Sequence, residues 1–84
     1  MDSTTIKPVA PESRALGMAI AVGLEPRMAY TIPQTSRYSG IPESWLRVAI
    51  KNGALAAKTA RGNLRGARIP VTEMDRYMEV HADE

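Results

Sequence analysis

The sequence of 84 residues contains no cysteine and only one histidine, His81. Without cysteine the chain forms no disulfides, no thiolate metal sites and no cysteine nucleophile, and the reducing cytoplasm is the default location. A lone histidine is too few ligands for a metal site, so we predict neither metal nor cofactor. The carboxylates crowd near the C-terminus without a matched base, so we also predict no catalytic residues and no enzymatic activity.

The chain also lacks phenylalanine and any long hydrophobic run. Without phenylalanine a surface that stacks on single-stranded bases is disfavoured, and Tyr38 and Trp45 are assigned to packing. The most apolar stretch, Ala15 to Leu24, contains two glycines and is far shorter than the roughly 20 residues that span a bilayer. It also lacks the basic leader of a signal peptide, so we expect a cytoplasmic protein with no membrane partner.

Positive charge is present, but it is confined to one part of the chain. The formal net charge is +2, yet residues 37 to 70 hold seven basic side chains against one acid, whereas residues 71 to 84 hold five acids against one arginine. A basic block of this kind indicates a polyanionic partner. The acids at the end admit two interpretations: contact with a neighbouring copy's basic hairpin or a recombinase, or a solvated last helix that avoids DNA. These acids are Glu73, Asp75, Glu79, Asp83 and Glu84.

The first part of the chain has few local folding signals. Residues 1 to 11 combine polar residues with prolines and show no apolar periodicity, which is typical of a disordered arm. Apolar residues then recur at four-residue spacing from Leu16 to Leu24, which indicates a helix. Three roles stay open for this helix: covering a small core, mediating self-association, or remaining disordered. We assign residues 1–29 to a flexible extension with a possible helix at 12–24.

Two short helices are predicted in the middle of the chain. Thr31 and Gln34 stand at the spacing of a capping box, which predicts a helix that begins there and ends before Gly40. A second helix is predicted from Pro42 to Asn52, because proline favours the first turn and Gly53 provides a stop. Two short helices joined by a glycine-containing turn form a helix-turn-helix.

The second predicted helix is amphipathic. Its inner face holds Leu46, Ala49 and Ile50, and its outer face holds Glu43, Ser44, Arg47 and Lys51. In a DNA major groove, an arginine such as Arg47 can contact the O6 and N7 acceptors of guanine. Glu43 has two interpretations, since it either accepts a hydrogen bond from a cytosine amino group or stabilises the helix dipole as a first-turn acid.

A basic β-hairpin is predicted next, with strands at 55–59 and 67–70 around a loop rich in glycine and arginine. From such a loop, guanidinium groups can reach a minor groove or neighbouring phosphates. The candidate contact residues of this region are Lys58, Arg61, Asn63, Arg65 and Arg68. Thr72 and Asp75 then have the spacing of an N-cap signature, so a closing amphipathic helix is expected to begin at Thr72. The predicted fold class is therefore mostly α with a small β-hairpin.

Several short motifs, in this order, resemble one known family. They are Tyr30-Thr31-Ile32, Gly40-Ile41-Pro42-Glu43-Ser44-Trp45-Leu46-Arg47, Ile50-Lys51-Asn52-Gly53-Ala54-Leu55, Lys58, Arg68-Ile69-Pro70 and Glu73-Met74-Asp75-Arg76-Tyr77-Met78. Together they resemble the excisionases, or recombination directionality factors, of phages and mobile elements, which are winged-helix relatives of the MerR family. The resemblance covers residues 30–84.

The resemblance implies a winged helix-turn-helix DNA-binding domain over residues 30–84. It implies cooperative binding and bending of DNA at repeated sites, which directs integrase-mediated excision. Its implied partners are double-stranded DNA, an integrase or recombinase, and further copies of the chain associated head to tail on DNA, in a bacterial or phage-infected host cell. The residues predicted to contact DNA are Arg37, Glu43, Ser44, Arg47, Lys51, Lys58, Arg61, Asn63, Arg65 and Arg68.

Two other functions stay open at this point. The same domain would serve a small transcriptional regulator of a phage or mobile element that has no recombination role. Alternatively, an adaptor or antirepressor would dock its basic face on an acidic protein. Failure to shift DNA at low salt would favour the adaptor.

Overall fold

The computed structural model describes residues 13–60 and 63–80, with the side chains of all of them except residues 60 and 63. Within these ranges the chain forms four helices and a three-stranded antiparallel sheet, which confirms the mostly helical class and is compatible with a winged helix-like fold. In chain order the elements are α1 (Arg14–Ala21), β1 (Ala29–Thr31), α2 (Ile32–Ser39), α3 (Glu43–Lys51), β2 (Lys58–Ala60), β3 (Asn63–Pro70) and α4 (Val71–Val80). In these parts of the chain, no helix is long and apolar enough to cross a membrane.

The two helices predicted in the middle of the chain are present as α2 and α3. The capping box at the start of α2 is formed, since the Gln34 amide donates to Thr31 Oγ1 at 3.3 Å and the Thr31 amide donates to Gln34 Oε1 at 3.1 Å. Gly40 ends α2 with a φ of +81°, in the left-handed region that glycine tolerates best. Local sequence signals therefore determine both the start and the end of α2.

The sheet has the strand order β1-β3-β2, so β3 is its central strand. Tyr30 of β1 pairs with Ile69, and Lys58 of β2 pairs with Arg68. The predicted hairpin is therefore present, but its strand limits were wrong, because β2 begins at Lys58 and β3 already begins at Asn63. Leu55, which was assigned to a strand, is instead buried in the core before β2 begins. The short strand β1 was not predicted.

The pairing of β2 with β3 contains a bulge. The pairs Lys58 with Arg68 and Ala60 with Asn63 place five residue steps of β3 opposite two of β2. Gly66, inside this bulge, has a φ of +79°, which a residue with a side chain rarely adopts. The extra residues on β3 shift the register between the two strands.

The core lies between the helices and one face of the sheet. Its largest fully buried side chains are Tyr30, Leu46, Leu55, Ile69, Met74, Val71 and Thr35. The rings of Tyr30 and Tyr38 meet edge to face with centroids 5.6 Å apart, as the packing role predicted for Tyr38 requires. Burial raises the pKa of the Tyr38 phenol well above its usual value.

Helix α1 covers this core, which is the first of the three roles left open for it. It buries Ala15, Leu16 and Ala19 and packs against α2 and α4. Its N-cap is Ser13, whose hydroxyl accepts from the Leu16 amide at 3.1 Å. The helix is shorter than the 12–24 expected, because Val22 caps its C-terminus.

Two local expectations were wrong. Helix α4 begins at Val71, directly after β3, so Thr72 lies inside the first turn and is not the N-cap. The Val71 amide donates to the carbonyl of Met28 at 2.8 Å, a partner that the local sequence does not indicate. Trp45 was assigned to packing, but it is 68% exposed, because the buried face of α3 is occupied by Leu46 and Ala49.

Candidate nucleic-acid interface

Helix α3 presents an exposed stripe on the side opposite its buried face. The stripe consists of Ser44, Arg47, Val48 and Lys51, all of them exposed. Their spacing of i, i+3, i+4 and i+7 places them on one face of the helix. The opposite face is fixed against the core by Leu46, which is fully buried. Since α3 is anchored on one side only, its polar side is available to a partner.

Glu43 lies at the edge of this stripe and forms an ion pair with Arg47. The Arg47 guanidinium donates to Glu43 Oε1 at 3.1 Å, and the two side chains are 48% and 41% exposed. An exposed pair one helical turn apart adds only about 0.3–0.5 kcal/mol to stability. Glu43 also lies in the first turn of α3, where an acid suits the helix dipole. The acid therefore orients Arg47 without holding it firmly.

A groove separates the stripe from the β-hairpin. Arg47 lines it from α3, Arg65 and Gly66 line it from the bulge in β3, and Thr31 and Pro33 line it from the start of α2. The bulge thus brings a hairpin arginine to the same groove as an arginine of α3. This juxtaposition is the main candidate for a polyanion site in the described part of the chain.

The other end of α3 also meets the hairpin. Ile50 and Lys51 line a second groove together with Thr59 of β2 and Leu64 of β3. Lys51 is the exposed member, whereas Ile50 and Leu64 are half-buried against the core. Arg47 and Lys51 of the stripe therefore each line a groove that they share with the hairpin.

Other predicted contact residues lie elsewhere. Lys58 and Arg68 are both exposed and directly opposite each other, and Arg68 lies on the sheet face away from its buried neighbours Ala67 and Ile69. Arg37 donates to the carbonyl of Val22 at 3.1 Å and thereby contacts the end of α1. The structure therefore groups Ser44, Arg47, Lys51 and Arg65. Arg37, Lys58 and Arg68 lie on other parts of the surface. Arg61 and the side chain of Asn63 lie outside the described residues.

Sequence reasoning missed two exposed apolar side chains on α3. Val48 is 58% exposed and belongs to the stripe, and Trp45 lies beside it. Both line a shallow groove that α4 closes with Tyr77. The exposure of Val48 could have been predicted from its spacing from Ser44 and Lys51, because this spacing places all three residues on one face of the helix.

Two carboxylates of the acidic segment, Glu73 and Asp75, form hydrogen bonds to other parts of the chain. Glu73 Oε1 accepts from the Arg76 guanidinium at 2.9 Å and from the Ala56 amide at 3.1 Å, and Arg76 also donates to the Ala54 carbonyl at 3.1 Å. The hydrogen bond from Arg76 is the main reason that the pKa of Glu73 lies below its usual value. Asp75 contacts α1. The turn after α3 is therefore tied to α4, while Asp83 and Glu84 lie outside the described residues.

Comparison of the chain with protein-family models, with curated proteins and with solved structures finds no match. Among the residues that the structure describes, no three His, Asp or Glu side chains lie close enough together to hold a metal ion.

Proposed function

We propose that the chain binds double-stranded DNA as a winged helix-turn-helix protein. In this proposal α3 enters the major groove, and the hairpin of β2 and β3 contacts the backbone or the minor groove beside it. The observation that carries the proposal is the groove in which Arg47 of α3 and Arg65 of β3 face the same space. Two cationic side chains from a helix and a neighbouring hairpin suit a polyanion with two adjacent surfaces.

The dimensions of α3 support this arrangement. Its nine residues form a rod about 13 Å long, and a helix with its side chains is about 10–12 Å across, which a major groove about 12 Å wide admits. The exposed residues Ser44, Arg47 and Lys51 provide a hydroxyl and two cationic groups on one face. Such groups hydrogen-bond to phosphates and base edges.

We further propose that the protein is an excisionase. On this hypothesis several copies bind adjacent repeated sites, bend the DNA and direct an integrase towards excision. The support is the resemblance of residues 30–84 to that family, together with the order of elements from α2 to α4. A small transcriptional regulator would use the same surface, so the proposal that DNA is bound does not depend on this choice.

DNase footprinting combined with a bending assay, on the DNA around the protein's own gene, tests both levels of the proposal. An excisionase is expected to protect several adjacent sites and to bend them next to an integrase site. A regulator is expected to protect a promoter only. Protection of neither, with no mobility shift at low salt, would contradict DNA binding and favour a protein partner.

The salt dependence of affinity provides an independent test. If Arg47, Lys51 and Arg65, together with one to three of the cations outside the grouped site, neutralise phosphates, log affinity should fall with log salt with a slope of about −4 to −5. Arg27→Ala is a suitable control, because Arg27 is exposed and paired with Glu25 outside the proposed site. The control should keep the slope of the unmodified protein. A slope near zero for the unmodified protein would contradict the proposal.

A further inference from the structure

The stripe on α3 contains an apolar residue at its centre. Val48 lies next to Arg47 and one turn from both Ser44 and Lys51, and 58% of its surface is exposed. Valine is less favourable in a helix than a long polar residue, and this one adds little to the core. Stability of the fold therefore does not explain its presence there.

In a DNA major groove, an apolar side chain has one apolar feature to meet. The C5-methyl group of thymine lies at the groove edge and is the only methyl group there, and the base pairs are otherwise distinguished by their hydrogen-bond donors and acceptors. From Ser44 to Lys51 the stripe extends about 10 Å along the helix, which is close to three base-pair steps. Val48 lies in the middle of that span, between the cationic side chains of Arg47 and Lys51.

We propose that Val48 is a specificity-determining residue that contacts a thymine methyl group in the bound DNA. This inference rests on the proposed function, since it assigns a base preference to the same surface. It requires the preferred site to contain an A·T pair opposite the centre of α3, oriented so that its thymine faces the valine. Burial of one methyl group predicts a contribution of about fourfold in affinity.

Trp45 is less suited to this role. It lies beside Val48 on the flank of α3 that faces α4, in the groove that Tyr77 closes. Val48 is part of both that groove and the stripe, so a protein bound in the groove is the competing occupant. The cations of the stripe favour DNA, because Arg47 and Lys51 share the face of Val48.

The test removes the methyl group from the DNA and the valine from the protein. A duplex selected by the protein from a random library is remade with deoxyuridine at one thymine at a time, which deletes only the methyl group. Dissociation constants are then measured for the unmodified protein and for Val48→Ala. At one position, replacing thymine by deoxyuridine is expected to raise the dissociation constant of the unmodified protein about fourfold. The same replacement should raise that of Val48→Ala less than twofold. Ile20→Ala, which truncates a 48%-exposed residue of α1, should keep the fourfold ratio.

Four other results of this experiment would overturn the inference, and they differ in what they say about DNA binding. Equal affinity for thymine and uracil at every position, with binding retained, would overturn the inference and leave DNA binding intact. A ratio that Val48→Ala preserves would assign the methyl contact to another residue and overturn it as well. If Val48→Ala loses cooperative binding between copies but keeps the thymine-to-uracil ratio, Val48 contacts a neighbouring protein instead of DNA. This result would also overturn the inference. If no duplex is selected, the proposed function fails and this inference fails with it. Circular dichroism confirms that each variant is folded.

Discussion

The carboxylate of Asp75 accepts a hydrogen bond of 2.6 Å from the hydroxyl of Ser13, although 62 positions separate the two in the chain. Its second oxygen accepts from the Ala15 amide at 2.7 Å. An acid at this point also complements the positive end of the α1 dipole. Asp75 therefore attaches the start of α1 to α4, and α1 supplies three buried residues to the core.

Replacing this acid should release α1. Asp75→Ala removes two partly buried hydrogen bonds, so the free energy of unfolding should fall by about 1–3 kcal/mol in urea titrations. Amide hydrogen exchange should accelerate in α1 more than in α3. Glu79→Ala is the control, because Glu79 is an exposed acid on the same helix and should change stability by no more than about 0.5 kcal/mol. Equal losses in the two variants would contradict this role for Asp75.

The pKa of Glu73 predicts a pH dependence of stability. Because the folded pKa lies below the ordinary value of 4.5, the ionised carboxylate stabilises the fold fully above that value. The contribution is lost as the pH falls through the folded pKa. The stability difference between the unmodified protein and Glu73→Gln should therefore be largest at neutral pH and shrink below about pH 4.5. Denaturation curves between pH 7 and 3 measure it, and a difference that stays constant would contradict the assignment.

Adjacent positions on α3 should respond very differently to truncation. Leu46 is fully buried, so Leu46→Ala should cost about 2–5 kcal/mol of stability. Trp45 is 68% exposed, so Trp45→Ala should cost less than about 1 kcal/mol despite the larger side chain. Thermal and urea denaturation of both variants measure the difference. A loss for Trp45→Ala as large as that for Leu46→Ala would show that the tryptophan packs in solution.

The two arginines of the groove should affect DNA binding in different ways. Arg47→Ala should reduce the preference for the selected site by about 1–3 kcal/mol, because Arg47 lies on the helix assigned to the base edges. Arg65→Ala should weaken binding to all sequences by a similar factor, because a hairpin arginine is expected to contact phosphates or the minor groove. Competition titrations with selected and random duplexes separate the two effects. Identical effects of both variants on specificity would contradict the division of roles.

Elements with local signals could be predicted from the sequence. Thr31 and Gln34 form their capping box within four residues, and Gly40 ends the same helix, so α2 needed no knowledge of distant contacts. The amphipathic pattern of α3 placed Leu46 and Ala49 on the buried face for the same reason. In each case the residues that determine the structure are close together in the chain.

What could not be predicted depends on contacts across the chain. Strand β1 has only three residues, too few to show an alternating pattern. The start of α4 depends on the carbonyl of Met28, and the anchoring of α1 depends on Asp75. In the candidate interface, the residues of α3 were predicted from periodicity. The approach of Arg65 to Arg47 could not be predicted in this way, because it depends on the bulge in β3.

The position of β3 in the sheet leaves the hairpin without a hinge at its base. This strand pairs with β1 on one edge and β2 on the other, and its last residue, Pro70, is followed directly by Val71 of α4. Swinging the whole hairpin would require breaking the β1 pairing or unwinding the first turn of α4. If the hairpin contacts DNA as proposed, β3 is held between β1 and α4 beforehand, so less conformational entropy is lost from this strand on association.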